Sequence, residues 1–161
     1  MRLHSIVLLA VVTTSLHSQQ LPTDSLTVEV GGISRVVASE ALSRLPRDTI
    51  RLAIHDGQPS LFTGVSLADV LKIAGFDPTT LRGPALAQYL VVEARDGYRV
   101  IFGAGELDSG ITGRAILLAF LSDGKPLDRD QGPWRLVVPG DRRGARWVRQ
   151  VTALRIRSGD R

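Results

Sequence analysis

Residues 132–148 read GPWRLVVPGDRRGARWV, and this stretch joins an apolar run to an arginine-rich loop. The run Trp134–Val138 includes one arginine, Arg135, and predicts a strand. Pro139 and Gly140 end that strand, because proline cannot donate to a sheet ladder and glycine tolerates positive φ. The loop that follows gathers guanidinium and backbone N–H groups, an arrangement that suits an anion with several oxygens. A hairpin whose arginines are only solvated is the alternative.

The stretch resembles the C-terminal part of the oxidoreductase molybdopterin-binding domain, the sulfite-oxidase-like fold. Three further segments resemble that family in the family's order: FTGVSLADVLKIAGF (62–76), DGYRVIFGAGELD (96–108) and ILLAFLSDGKPLDRDQGP (116–133). The ordered set covers nearly all of the chain after its first residues. The resemblance implies an α+β fold with a β-rich mixed or barrel-like sheet and two or three short helices.

The hydrophobic pattern independently favours a β-rich α+β domain. Residues 25–30 and 49–55 alternate between polar and apolar side chains, as half-buried strands do. The wholly apolar run 116–121 predicts a buried central strand. An Asp-Gly pair at 96–97 predicts a tight hairpin turn between two strands. Eight or nine strands and two or three short helices, including one capped by Ser39, do not alternate regularly, which argues against a doubly wound sheet.

The main departure from the family is the absence of cysteine. In catalytic members, the resemblance implies, a cysteine thiolate ligates molybdenum. Asp56 stands at about that position here, in the turn His55-Asp56-Gly57. A carboxylate and an imidazole both bind metals. The alternative is an aspartate that only bonds the backbone of its own turn.

The resemblance also implies which residues contact the cofactor. In the family, a basic residue at the position of Arg149 and the backbone around the loop glycine contact the terminal phosphate of the pterin. The corresponding contacts here are Gly144, Arg146 and Arg149, with His55 as a further cofactor-binding residue. Trp147 replaces a small or polar residue, so it either fills cofactor space or plugs the core.

These observations predict a noncatalytic member of the family that binds a pterin-type or other phosphorylated anion, or a protein partner, in the cofactor cleft. The alternative is a molybdopterin-dependent, sulfite-oxidase-like oxidoreductase with a non-thiolate metal ligand. Molybdopterin is the candidate cofactor, and no catalytic residue is assigned. The formal charge of +4 also suggests a polyanion binder. Aromatic residues make up only 5% of the chain, however, so no nucleic-acid partner is expected.

The N-terminus predicts export. Residues 1–18 combine one basic residue, a brief apolar run and small or polar residues at the end, which is typical of a secretory signal peptide. We expect a linker at 19–25, the domain at 26–157 and a tail at 158–161. We expect no membrane span after leader removal, and a bacterial periplasmic or secreted location.

Overall fold

The fold consists of two β-sheets with short helical segments between the strands. The computed structural model describes residues 25–53 and 57–159, and in them it contains ten strands and three α-helices. The strands are β1 (Leu26–Val30), β2 (Ile33–Val37), β3 (Arg47–Leu52), β4 (Ser60–Ser66), β5 (Tyr89–Ala94), β6 (Arg99–Gly103), β7 (Leu117–Ser122), β8 (Lys125–Pro126), β9 (Arg135–Val137) and β10 (Val151–Arg157).

The helical segments are short. The α-helices are α1 (Ser39–Ser43), α2 (Leu67–Ile73) and α3 (Ser109–Thr112). Turns of 3₁₀-helix cover Pro78–Thr80, Gly83–Ala87, Ala104–Leu107 and Gly144–Arg146. The predicted cap of α1 at Ser39 is wrong, because the N-cap is Ala38 and no side chain caps that helix. No helix in the described ranges is long and apolar enough to cross a membrane.

The first sheet has the strand order β2-β1-β10-β5-β6. β1 runs parallel to β10, and the other pairs are antiparallel, so the sheet is mixed. One row of facing residues, Val28, Leu154, Val92 and Val100, crosses four strands and is buried. The intervening positions face outward, as the period of two in a strand requires.

The second sheet has the order β3-β4-β7-β8, and β9 also pairs with β7. Every side chain from Leu117 to Leu121 is at most 2% exposed, so the prediction of a buried central strand is confirmed. β4 approaches β7 closely at Gly64, where an added Cβ would lie 2.2 Å from the carbonyl oxygen of Leu118. Only glycine permits this approach without movement of the backbone.

One hydrophobic core joins both sheets and includes α2. The ring of Trp134 packs edge-on against Phe120 at 6.0 Å.

β3 ends at Leu52, earlier than the predicted end at residue 55, and residues 54–56 lie outside the described ranges. The strands run from Leu26 to Arg157.

Candidate anion-binding site

The site begins at Arg135, which lies on β9 opposite Ala119 of β7. Arg135 is only 6% exposed, although β9 has a single neighbouring strand in the sheet. Its guanidinium lies over the rings of Phe62 and Trp147, at 5.6 Å and 5.8 Å from their centroids. These rings give the cation partial compensation for its lost hydration.

The hydrogen bonding of Arg135 is incomplete. Nη1 donates to Oε1 of Gln131, while Nε is buried and has no hydrogen-bond partner among the described residues. Burial and, to a smaller extent, the positive charge of Arg149 together lower the pKa of Arg135 to about 10. A buried cation without a carboxylate is costly, and an anion placed beside it would be stabilised.

Trp147, whose ring lies against Arg135, also lines a cleft of about 490 Å³, whereas Arg135 is not among the lining residues. Arg149 and Gly144 both line it, and in the described part of the chain Arg149 forms no ion pair or hydrogen bond. Two carboxylates, those of Asp96 and Asp130, line it as well. The remaining lining residues are Ala94, Tyr98, Ala145, Trp147, Val148 and Gln150.

Arg146 lies in the same loop but on its other side. Its Nε and Nη2 donate to the two carboxylate oxygens of Asp141 at 2.9 Å and 2.7 Å, and its Nη1 donates to Oε2 of Glu106 at 2.7 Å. We call these three residues the Arg146 clasp. The two carboxylates, Asp141 first, raise the pKa of Arg146 above its ordinary value. The clasp borders a separate cavity of about 80 Å³, which Arg114 also lines.

Trp147 separates the core from the cleft. Its side chain is 4% exposed, and its Nε1 donates to the carbonyl oxygen of Val138 at 3.1 Å. The ring packs edge-on against Phe62 at 6.0 Å. Trp147 is therefore a core residue that also forms part of the cleft wall.

The structure brings together only part of the predicted site. Gly144 and Arg149 line one cleft, whereas Arg146 borders the other cavity. His55 and Asp56 lie outside the described residues, so their predicted roles stay predictions. Arg135 was not among the predicted contacts. The signal was present in the sequence, since a lone charge within an apolar strand requires a partner or a ligand.

Metal-ligating side chains are sparse. No group of three His, Cys, Asp or Glu residues within 25–53 and 57–159 is placed to hold a metal ion. The chain as a whole has no cysteine, so it supplies no thiolate. The geometry defines a β-rich α+β domain with a cleft that is lined by the guanidinium of Arg149, unpaired within the described ranges, and by the carboxylates of Asp96 and Asp130.

The chain belongs to the oxidoreductase molybdopterin binding domain family, whose family model matches residues 39–161. The expected family and fold class are thereby confirmed. The match begins at α1, so the β1–β2 hairpin precedes it. No curated protein matches the sequence.

A solved structure has a similar fold. The sulfane dehydrogenase SoxCD from Paracoccus pantotrophus superposes with a TM-score of 0.62 at 22% sequence identity. The match covers 86% of this chain and 39% of the SoxCD chain. This chain thus spans about two fifths of the length of that protein, and the likeness concerns the fold.

Proposed function

We propose that this protein binds molybdopterin, or another phosphorylated anion, in the 490 Å³ cleft and does not itself catalyse a molybdenum-dependent oxidation. The observation that supports this most directly is Arg149, an exposed guanidinium that lines the cleft and has no carboxylate partner among the described residues. The buried charge of Arg135 lies nearby, and it too has no carboxylate partner within the described ranges. Phosphate is suited to guanidinium donors, because its oxygens accept several charge-assisted hydrogen bonds.

The residues present fit one end of the cofactor and not the other. Arg149 and the loop at Gly144 line the cleft and match a phosphate group in charge and donor type, and the nearby Arg135 adds a buried positive charge. The metal end, in contrast, has no thiolate ligand available, because the chain lacks cysteine. A hard carboxylate would tune molybdenum very differently from a soft thiolate. These features favour binding over catalysis.

The competing proposal is a molybdopterin-dependent oxidoreductase that uses Asp56 as a non-thiolate ligand. Family membership supports it, since the matched domain is an oxidoreductase domain. In that case the cofactor would supply the redox chemistry, and the protein would hold its phosphate through Arg149 and the loop at Gly144. Substitution of Asp56 by alanine would then remove bound molybdenum.

One experiment separates the two proposals. The full chain is produced in a bacterium that makes molybdopterin. Released pterin is then measured by fluorescence and molybdenum by elemental analysis. We expect pterin or phosphate to copurify with molybdenum well below one equivalent. Stoichiometric molybdenum that is lost in the Asp56→Ala variant would overturn the noncatalytic proposal.

The matched control is Arg149→Gln, which removes one charge from the cleft and leaves the core intact, because Arg149 is exposed. We expect this variant to bind inorganic phosphate at least about tenfold more weakly in calorimetry. Equal phosphate affinity in both proteins, or none in either, would contradict an anion site in this cleft.

We also propose that the protein is exported, because residues 1–18 have the composition of a secretory signal peptide. N-terminal sequencing of the protein from fractionated bacteria tests this. A mature N-terminus near residue 19 in the periplasmic or secreted fraction is expected. An intact residue 1 in the cytoplasmic fraction would contradict export.

A further inference from the structure

The loop from Gly144 to Arg149 holds its two arginines in different ways on its two sides. Gly144 and Arg149 line the large cleft, where Arg149 has no carboxylate partner among the described residues. Arg146, between them in sequence, borders the small cavity and contacts Asp141 and Glu106. Within this short loop, Arg149 is thus unpaired among the described residues, whereas Arg146 is paired with two carboxylates.

The Arg146 clasp is unsuited to bind an anion, because Arg146 is already engaged. All three guanidinium nitrogens donate to carboxylate oxygens at 2.7–2.9 Å. An oxyanion would have to displace these carboxylates to reach Arg146. The face of the guanidinium is also covered, because the ring of Phe102 lies 4.8 Å from it.

The partners of Arg146 are themselves held in place. Oε1 of Glu106 accepts a hydrogen bond from the backbone N–H of Gly103 at 3.0 Å, which leaves Oε2 for Arg146. The next residue in the loop is also fixed, since the hydroxyl of Tyr98 donates to the carbonyl oxygen of Ala145 at 2.9 Å. Two successive loop residues are thus attached to the segment around β6.

We propose that Arg146 is a positioning residue: the Arg146 clasp fixes the loop so that Gly144 and Arg149 face the cleft. This inference rests on the proposed function, in which the cleft binds an anion. Arg149 contacts that anion, and Arg146 acts on it only through the conformation of the loop. The bidentate pairing with Asp141 gives the clasp a geometry that a lysine cannot reproduce.

The deciding variant is Asp141→Asn, because the two roles predict opposite signs. Removal of a negative charge near a bound anion strengthens anion binding by electrostatics alone. Release of the loop from the Arg146 clasp, in contrast, weakens anion binding. With inorganic phosphate as the probe and calorimetry on the full chain, we expect the Kd to rise about fivefold, as the loss of one charge-assisted hydrogen bond predicts.

The matched control is Asp130→Asn, which removes a carboxylate that lines the cleft and lies outside the clasp. Here we expect the Kd for phosphate to fall. Arg146→Lys keeps the charge and loses the bidentate pairing, so its Kd should rise as in Asp141→Asn. If Asp141→Asn fails to fold, Glu106→Gln replaces it.

Amide hydrogen exchange tests the positioning role without any ligand. Exchange over residues 142–149 should accelerate in Asp141→Asn and Arg146→Lys and stay unchanged in Asp130→Asn. Tighter phosphate binding and unchanged exchange in Asp141→Asn would overturn the inference. If the wild type and Arg149→Gln both fail to bind phosphate, the proposed function falls, and the exchange data still decide whether the clasp orders the loop.

Discussion

The outer face of the first sheet and the cleft use arginine in opposite ways. On the sheet face, Arg99, Arg155 and Arg157 each have a carboxylate of Glu29 or Glu93 within 3.0 Å. In the cleft region, neither Arg135 nor Arg149 has a carboxylate partner anywhere in the described residues. An arginine that comes with its own counter-ion stabilises the fold, and one that lacks it is available to a ligand.

The pKa values follow the same division. Hydrogen bonds from Arg155 to Glu29 and then to Glu93 raise the pKa of Arg155. Burial lowers the pKa of Arg135 to about 10. The folded protein therefore favours the charged form of Arg155 and penalises the charged form of Arg135. The negative charge of a bound anion would offset this penalty on the charged form of Arg135.

The largest expected effect comes from Arg135→Met, which replaces the buried cation by an apolar side chain. Phosphate affinity should fall by about tenfold, because a positive charge near the cleft is lost. Without anion, the free energy of unfolding should stay equal or rise by up to about 2 kcal/mol, since an uncompensated buried charge has been removed. Urea unfolding with and without phosphate measures both effects. A lower free energy of unfolding in anion-free buffer would contradict the contrast between the sheet face and the cleft region.

A smaller effect of opposite sign is expected for Arg155→Met on the sheet face. Glu29 keeps Arg157 and Glu93 keeps Arg99, so each glutamate loses one of two partners. Because the side chain of Arg155 is 30% exposed, solvent screens the pairs, and the loss of stability should be about 1 kcal/mol. Phosphate affinity should not change. Urea unfolding and calorimetry check the two statements, and weakened phosphate binding would show that the regions are not independent.

The smallest effect concerns the acid limb of the stability curve. Hydrogen bonds from Arg157 and Arg155 lower the pKa of Glu29 below 4.5. The unfolded chain then binds more protons than the folded one just below pH 4.5, so this stabilisation is present above that pH and is lost as the pH falls. Glu29→Gln should flatten the decline between about pH 5 and 3 in thermal unfolding. An unchanged slope would contradict the assignment.

Much of the fold was predictable because its signals are local. The apolar run that became β7 and the Asp-Gly turn between β5 and β6 needed only neighbouring residues. Glu93 and Arg99 face each other across that hairpin, and their side chains form an ion pair at 2.8 Å. Alternation in the chain therefore fixed which faces of these strands are buried.

The site was less predictable, because it depends on contacts distant in sequence. Glu106 lies 40 residues before Arg146, and nothing near Arg146 indicates that this carboxylate would reach it. Resemblance placed Arg146 and Arg149 together as anion contacts, while the structure puts them on opposite sides of the loop. The burial of Arg135 also depends on Phe62, a residue of another strand.

The parallel pairing of β1 with β10 has a consequence for the order of folding. Thr27 of β1 faces Ala153 of β10. The pairing of β1 with β10 therefore cannot form until a segment 126 residues later in the chain has been synthesised. A lone two-stranded hairpin is at best marginally stable in water. During synthesis on the ribosome, the β1–β2 hairpin must therefore wait until β10 has emerged before it gains a lasting neighbour.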